Sequence, residues 1–191
     1  MATDAARVRR TPGEAGTWVF IFGDMTVFAV LFATYLYYRA EDPALFASSQ
    51  QELNQTFGAV NTLLLLLSSL LVVAAVRAVR DHRGVAAPRL IAGAMACGLA
   101  FSGLKVVEYG EKISHDQTPA TDDFFLYYFV LTGMHWFHLL IGLAVLTALI
   151  VITRKPNLTA RQVSFVEGGA CFWHMVDLLW IVLFPLLYFV R

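Results

Sequence analysis

Several ionisable side chains stand inside apolar stretches of the sequence, where they are costly and therefore informative, and four of them form a first set. Asp24 lies in FIFGDMTVF, His138 in TGMHWFHLLIG, and His174 and Asp177 in CFWHMVDLLW. On insertion scales, an ionisable side chain in hydrocarbon costs on the order of 2.5–3.5 kcal/mol, so each is expected to face another helix and find a partner there. Carboxylates and imidazoles in such positions can join helices, relay protons or, as histidine pairs, hold haem.

Three of these residues fall at the same depth when the helix rise of about 1.5 Å per residue is applied. Measured from one face of the membrane, Asp24 comes out about 10 Å deep, His138 about 9 Å and His174 about 10 Å. The sequence therefore predicts a hydrogen-bonded cluster of Asp24, His138 and His174, with Asp177 one turn further along its helix.

A second set of polar residues in or beside the apolar runs is interpreted as structural. Its members are Asn61, Lys105, Glu108, His135 and Glu167. Hydrogen-bonded clamps between membrane helices are worth about 0.6 kcal/mol each on average, and this is the favoured interpretation of all the intramembrane polar residues, including the cluster.

Three alternatives give these residues a chemical role. His138 and His174 could ligate a haem from two helices. Chains of Asp and His relay protons in pumps, although the second apolar run offers polar groups for a half-channel at best. A zinc site is not expected, because the sequence has no HExxH or paired CxxC and His135 and His138 lack further ligands.

The elements that must hold these residues are membrane helices. Of the 191 residues, 58% are hydrophobic and only 15% are charged, whereas soluble domains have about a quarter charged residues. The 14 basic and 14 acidic residues cancel, so no nucleic-acid partner is expected. Cys97 and Cys171 lie inside apolar runs and are predicted to be buried packing residues.

Five runs are long enough to cross about 30 Å of hydrocarbon, which takes about 20 residues. The predicted spans are 17–38, 56–76, 89–110, 124–153 and 163–190, joined by short loops of which the first covers 39–55. The first run is too long for a signal peptide and lacks a small-residue cleavage site. The predicted fold is an all-α integral membrane bundle of five helices, a single domain over 17–191 after a basic tail over 1–16.

The basic residues outside the spans gather at one end of this bundle. Ten of them fall on the side of the N-terminus, namely Arg7, Arg9, Arg10, Arg77, Arg80, Arg83, Arg89, Arg154, Lys155 and Arg161. By the positive-inside rule this side is cytoplasmic, and the odd number of spans leaves the C-terminus on the opposite side. A small transporter is a weaker hypothesis, because no internal repeat or matched pair of broken spans is visible.

Five stretches together resemble the haem-copper oxidase subunit III family, that is, cytochrome c oxidase subunit 3 in its short five-helix form. They are WVFIFGDMTVFAVLF, NTLLLLLSS, LKVVEYGE, TGMHWFHLLIG and WHMVDLLWIVLFPLLY. The family usually has Glu at the acidic position of the first of these, where this chain has Asp24. Asp24 at this position, together with the sequence over 37–64, makes the chain more similar to the NorE-like branch of the family than to the oxidase subunits. The NorE-like branch is associated with nitric oxide reductase.

The resemblance implies an accessory subunit of a respiratory chain in the bacterial plasma membrane, with no haem, copper or active site of its own. Its partner would be the catalytic subunit I of a haem-copper oxidase or of a nitric oxide reductase. The resemblance also implies phospholipid bound in a cleft between the first two helices and the other three. Asp24 would then influence the lipid cleft or proton uptake, while Glu108, His135, His138, His174 and Asp177 would be structural.

Overall fold

The computed structural model describes residues 15–81 and 86–190, and all regular secondary structure in these residues is helical. The helices are α1 (Ala15–Glu41), α2 (Pro43–Gln51), α3 (Gln55–Arg80), α4 (Ala87–Ser114), α5 (Asp123–Thr153) and α6 (Ala160–Tyr188). All except α2 are long and apolar enough to cross a membrane. The five predicted spans are confirmed, with bounds within about one helical turn of those predicted. Most of the predicted tail over 1–16 lies outside the described residues.

Short polar signals in the sequence explain where the helices begin. The Asp122 carboxylate accepts a hydrogen bond from the backbone N–H of Phe125 at 2.8 Å and caps α5. Thr159 and Gln162 form a reciprocal capping box at the start of α6. Such caps satisfy backbone N–H groups that have no partner within the first turn.

Helix α2 corrects the prediction of a loop over 39–55. Asp42 accepts a hydrogen bond from the backbone N–H of Leu45 at 3.0 Å, and Pro43 occupies the first turn, where its missing N–H costs nothing. Phe46 is buried and packs edge-on against Tyr35 and Phe124. The proline that indicated a loop is instead the first residue of a short helix lying across the ends of α1 and α5.

Helices α3 to α6 form a four-membered ring in which each contacts two neighbours, α3 and α5 each lying against α4 and α6. The ring closes around Trp173, whose indole N–H donates to Ser68 Oγ at 3.0 Å. A Cβ at Gly98 or Gly142 would come within 2.9 and 2.7 Å of this indole. These glycines therefore admit a large aromatic side chain between closely packed helices.

Helix α1 lies outside the ring, mainly against α5 and α6. Only 17% of the apolar segment of α1 is buried inside the protein, compared with 61% of the apolar segment of α6. The predicted grouping of the first two spans against the other three is therefore wrong, because α3 belongs to the ring and α1 alone is peripheral. The buried residues of α1, Ile21, Phe28 and Tyr35, form a single narrow stripe.

The two ends of the bundle differ. We call the basic end the one where α1, α4 and α6 begin, since Arg77, Arg80, Arg89 and Arg161 lie there. We call the capped end the other one, where α2 lies.

Candidate functional sites between the helices

Asp24 and His138 form a polar contact between α1 and the ring. His138 Nε2 lies 3.3 Å from Asp24 Oδ2, and His138 Nδ1 lies 2.8 Å from the carbonyl oxygen of Met134. A ring nitrogen facing a carbonyl oxygen must be the donor, so Nδ1 carries a proton. Because Nε2 faces a carboxyl oxygen, a further proton is needed between His138 and Asp24 for this contact to be a hydrogen bond.

This pair lies at the edge of a helix interface, in contact with the apolar stripe of α1. The side chains of Asp24 and His138 are 18% and 9% exposed. Phe28 packs edge-on against the imidazole, with ring centroids 5.4 Å apart. The pair is therefore partly exposed, unlike Lys105 and Glu108 inside the ring.

His174 lies on a different interface, between α6 and α3. Its Nδ1 is 2.7 Å from Ser69 Oγ, and Asp177, buried on the same helix, also lies beside Ser69. No hydrogen bond links His174 to Asp24 or His138, so the structure brings together only Asp24 and His138 of the predicted cluster. The contact confirms a common depth for Asp24 and His138. Depth does not determine the direction in which a side chain points around the helix axis, so the prediction could not place His174.

The most completely buried polar site joins α4, α5 and α6 near the capped end. Lys105 Nζ donates to Glu108 Oε2 at 2.9 Å, and both side chains are 1% exposed. The hydroxyls of Tyr128 and Tyr188 donate to Glu108 Oε1 at 2.7 and 2.6 Å. Every oxygen of the carboxylate thus has a donor, which a buried charge requires.

The ammonium group of Lys105 also lies over aromatic rings. It is 5.1 Å from the ring centroid of Trp180 and 5.1 Å from that of Tyr128, which is within the range of a cation–π interaction. We call the set Lys105, Glu108, Tyr128 and Tyr188 the buried network. Sequence reasoning predicted Lys105 and Glu108 as structural but missed both tyrosines, whose only signal was their position near the ends of spans.

The remaining predicted polar residues lie at separate helix contacts. Glu167 forms an ion pair with Arg80 at 2.7 Å, which joins α6 to α3 at the basic end. His135 Nε2 lies 3.1 Å from the carbonyl oxygen of Val176 and so donates across the α5–α6 interface. Asn61 is completely buried inside the ring.

Helix α2 and its flanking residues close the capped end above the buried network. Ser49 Oγ donates to Asp122 Oδ2 at 2.7 Å, and Gln50 Nε2 donates to the carbonyl oxygen of Leu187 at 2.9 Å. Lys112 Nζ donates to the carbonyl oxygen of Glu52. The ends of α4, α5 and α6 are therefore tied to one short segment.

An apolar groove of about 330 Å³ opens between α1, α5 and α6 at the basic end. Its walls include Phe20 of α1, Ile141 of α5 and Phe172 of α6. Phe20 is one turn before Asp24, and Ile141 is nearly one turn after His138, so the groove ends beside the Asp24–His138 pair. We call it the α1 groove.

A comparison with known protein families assigns this chain to one of them. A family model described as cytochrome c oxidase subunit III matches residues 7–191. The chain belongs to the cytochrome c oxidase subunit III family.

Relatives of this subunit III chain are found in several bacteria. It is 30% identical to cytochrome c oxidase subunit 3 of Synechocystis, over 93% of this chain and 81% of the relative. It is 31% identical to cytochrome c oxidase subunit 3 of Thermostichus vulcanus, over 91% and 85%. It is 28% identical to cytochrome bo(3) ubiquinol oxidase subunit 3 of Buchnera aphidicola, over 95% and 88%.

The family and the five spans together make this subunit III chain a multi-pass protein of a bacterial membrane. The expected resemblance to the haem-copper oxidase subunit III family is confirmed. Within residues 15–81 and 86–190, no group of three or more His, Cys, Asp or Glu side chains is placed to hold a metal ion.

Proposed function

We propose that the chain is an accessory, cofactor-free subunit of a haem-copper respiratory oxidase of the cytochrome c oxidase type. In this role it stabilises the catalytic subunit I and binds phospholipid during aerobic electron transport. The observation that carries the proposal is the family match over residues 7–191. Relatives named as third subunits of cytochrome c and ubiquinol oxidases support a catalytic oxidase subunit as the partner.

The contacts of the histidines favour a subunit without haem over a bis-histidine cytochrome. Both ring nitrogens of His138 face oxygen atoms of Asp24 and Met134, and His174 Nδ1 is occupied by Ser69. A haem would require His138 to give up one of these contacts. These imidazoles are already used to join helices.

The α1 groove supports the phospholipid part of the proposal. It is lined mainly by apolar side chains and lies on the surface of a membrane helix bundle, where an acyl chain is the molecule available to fill it. The predicted cleft between the first two spans and the other three is replaced by this groove between α1 and the ring. An acyl chain in it would end beside Asp24 and His138.

The test is to purify the tagged chain from its native membrane in mild detergent and record its visible spectrum. We expect one large haem-containing subunit to co-purify in fixed ratio, and the chain expressed alone to show no Soret absorbance. Stoichiometric haem on the isolated chain, lost in His138→Ala or His174→Ala, would contradict the proposal. A co-purifying subunit that reduces nitric oxide but not oxygen would place the chain in the NorE-like branch instead.

We also propose that the basic end is cytoplasmic, so that the N-terminus is inside and the C-terminus outside. The clustering of Arg77, Arg80, Arg89 and Arg161 at that end supports this orientation. Alkaline phosphatase fused after residue 190 should be active, whereas the same enzyme fused after residue 155 should be inactive. The reverse pattern would show that the orientation is wrong.

A further inference from the structure

Three polar side chains meet at the interface of α3 and α6. Ser69 Oγ of α3 lies 2.7 Å from His174 Nδ1 of α6, and the carboxyl group of Asp177 lies beside the same hydroxyl. His174 and Asp177 are three residues apart, so they share one face of α6. The hydroxyl of Ser69 is therefore the common neighbour of an imidazole and a carboxyl group.

Asp177 has no partner that could hold it as an anion. It is 3% exposed, and neither of its carboxyl oxygens receives a hydrogen bond from a residue in 15–81 or 86–190. By contrast, Glu108 has Lys105 and Asp24 has His138 within ion-pair distance. Because a buried carboxylate without a donor or a cation is strongly disfavoured, we infer that Asp177 holds a proton.

His174 connects this group of side chains to the surface of the protein. A groove of about 290 Å³ opens between α3 and α6 at the basic end, and His174 lines it, whereas Ser69 and Asp177 do not. Since Nδ1 faces Ser69, Nε2 is the ring nitrogen left for a water molecule in the groove. The charged side chains around this groove are Arg77, Arg80 and Glu167. Arg80 is 54% exposed, so the rim of the groove can be reached by water.

We propose that Ser69 and His174 relay a proton between Asp177 and the groove at the basic end. At rest, the O–H of Asp177 donates to Ser69 Oγ, the hydroxyl of Ser69 donates to His174 Nδ1, and His174 carries its proton on Nε2. One transfer moves the proton of Asp177 to Ser69, that of Ser69 to Nδ1, and that of Nε2 to water in the groove. Asp177 becomes a carboxylate, and His174 stays neutral with its proton on the other nitrogen. The reverse steps return the proton.

The relay ends at Asp177 and does not cross the membrane. Among residues 15–81 and 86–190, no hydrogen bond leads from its carboxyl group towards the capped end. On the α5 side, His135 Nε2 lies 3.1 Å from the carbonyl oxygen of Val176, so this contact is to the backbone and not to Asp177. Asp177 is thus a site that takes up and releases a proton on one side of the membrane only. This role does not depend on the identity of the catalytic partner.

Infrared spectra of the purified full-length chain, transferred from H₂O to D₂O at neutral pH, test the protonation of Asp177. A protonated carboxyl group has a carbonyl band that a carboxylate lacks, and the band shifts when O–H becomes O–D. We expect one such band to be present in the wild type and absent from Asp177→Asn. If Asp177→Asn loses no such band, Asp177 is ionised and the proposal is wrong.

The rate at which this band shifts in D₂O tests the relay. Ser69→Ala and His174→Phe should keep the band but slow its shift by about 100-fold, the lower end of what a positioned proton-transfer group contributes. Ser69→Thr keeps a hydroxyl and should exchange at the wild-type rate. Thermal unfolding of each variant in the same detergent would show that it is folded, and Ser69→Ala removes only one oxygen atom.

His138→Phe is the matched control, because His138 is a membrane histidine that contacts Asp24 on another interface. It should leave the exchange rate of the Asp177 band unchanged. An equal slowing in His138→Phe and His174→Phe would show a general change in access of water and would overturn the relay. A wild-type rate in Ser69→Ala would overturn it as well.

Discussion

The capped end and the basic end of this bundle use charged residues in opposite ways. At the capped end, Lys105 and Glu108 are 1% exposed and enclosed by side chains of three helices. At the basic end, the side chains of Arg80 and Asp24 are 54% and 18% exposed. The capped end therefore contains one pair of charges that only the protein can satisfy, whereas the charges of Arg80 and Asp24 are partly exposed.

The surface grooves are distributed unequally between the two ends as well. Helix α2 covers the buried network. Its hydrogen bonds to Asp122 and Leu187 tie the nearby ends of α5 and α6 together. The α1 groove lies towards the basic end, as do a groove between α3 and α4 and another between α3 and α6. The capped end is suited to holding the helices in register, while the α1 groove that would take the proposed phospholipid lies towards the basic end.

The largest expected effect comes from removing one charge of the buried network. Glu108→Ala leaves the ammonium of Lys105 and two tyrosine hydroxyls without their acceptor in the interior. Breaking a buried ion pair in this way costs about 3–5 kcal/mol. Thermal and denaturant unfolding of the purified chain in detergent would measure the loss.

The double variant Lys105→Met with Glu108→Gln is the control for this prediction. It removes both charges while keeping similar side-chain volumes, so most of the stability should return. A double variant as unstable as Glu108→Ala would show that the damage comes from lost packing. The contrast between the two ends would then not rest on charge.

A smaller effect is expected at the Asp24–His138 pair. Hydrogen bonds between membrane helices average about 0.6 kcal/mol and reach about 1.7 kcal/mol, and this pair is partly exposed. Asp24→Ala should therefore lower the free energy of unfolding by about 1 kcal/mol. A double-mutant cycle with His138→Phe in detergent would measure how much of this loss comes from the Asp24–His138 contact. Because α1 is peripheral, the variant should also expose it to faster proteolysis. A loss as large as that of Glu108→Ala would show that the pair is as structural as the buried network.

The sequence predicted best the features that depend only on position along a helix axis. Hydropathy identified the five spans, and the helix rise correctly placed Asp24 and His138 at one depth. The partnership of His174 with Ser69 was missed, because rise alone does not specify the face of a helix. The sequence identified Lys105 and Glu108 as structural residues without pairing them. Tyr188 lies 80 residues from Glu108 in sequence, and no local pattern joins the two.

Packing between helices was harder to predict than the helices themselves. The two-plus-three grouping came from the family resemblance, whereas the ring of α3 to α6 depends on how Trp173 fits against Gly98 and Gly142. Those glycines are visible in the sequence, but their common partner is not. Helix α2 was missed because Pro43 ends a loop and begins a helix equally well, and burial of Phe46 decides between them.

The smallest expected effect is at the Arg80–Glu167 ion pair, which is the exposed counterpart of Lys105–Glu108. Exposed ion pairs contribute about 0–1 kcal/mol and are weakened by salt. Arg80→Gln should therefore lower the unfolding temperature slightly at low ionic strength, and the difference from wild type should shrink at 1 M salt, where the Debye length is about 3 Å. Glu108→Ala, by contrast, should be equally destabilising at both salt concentrations, because its partners are out of reach of ions. A salt-independent loss in Arg80→Gln would mean that the two ends hold their charges in the same way.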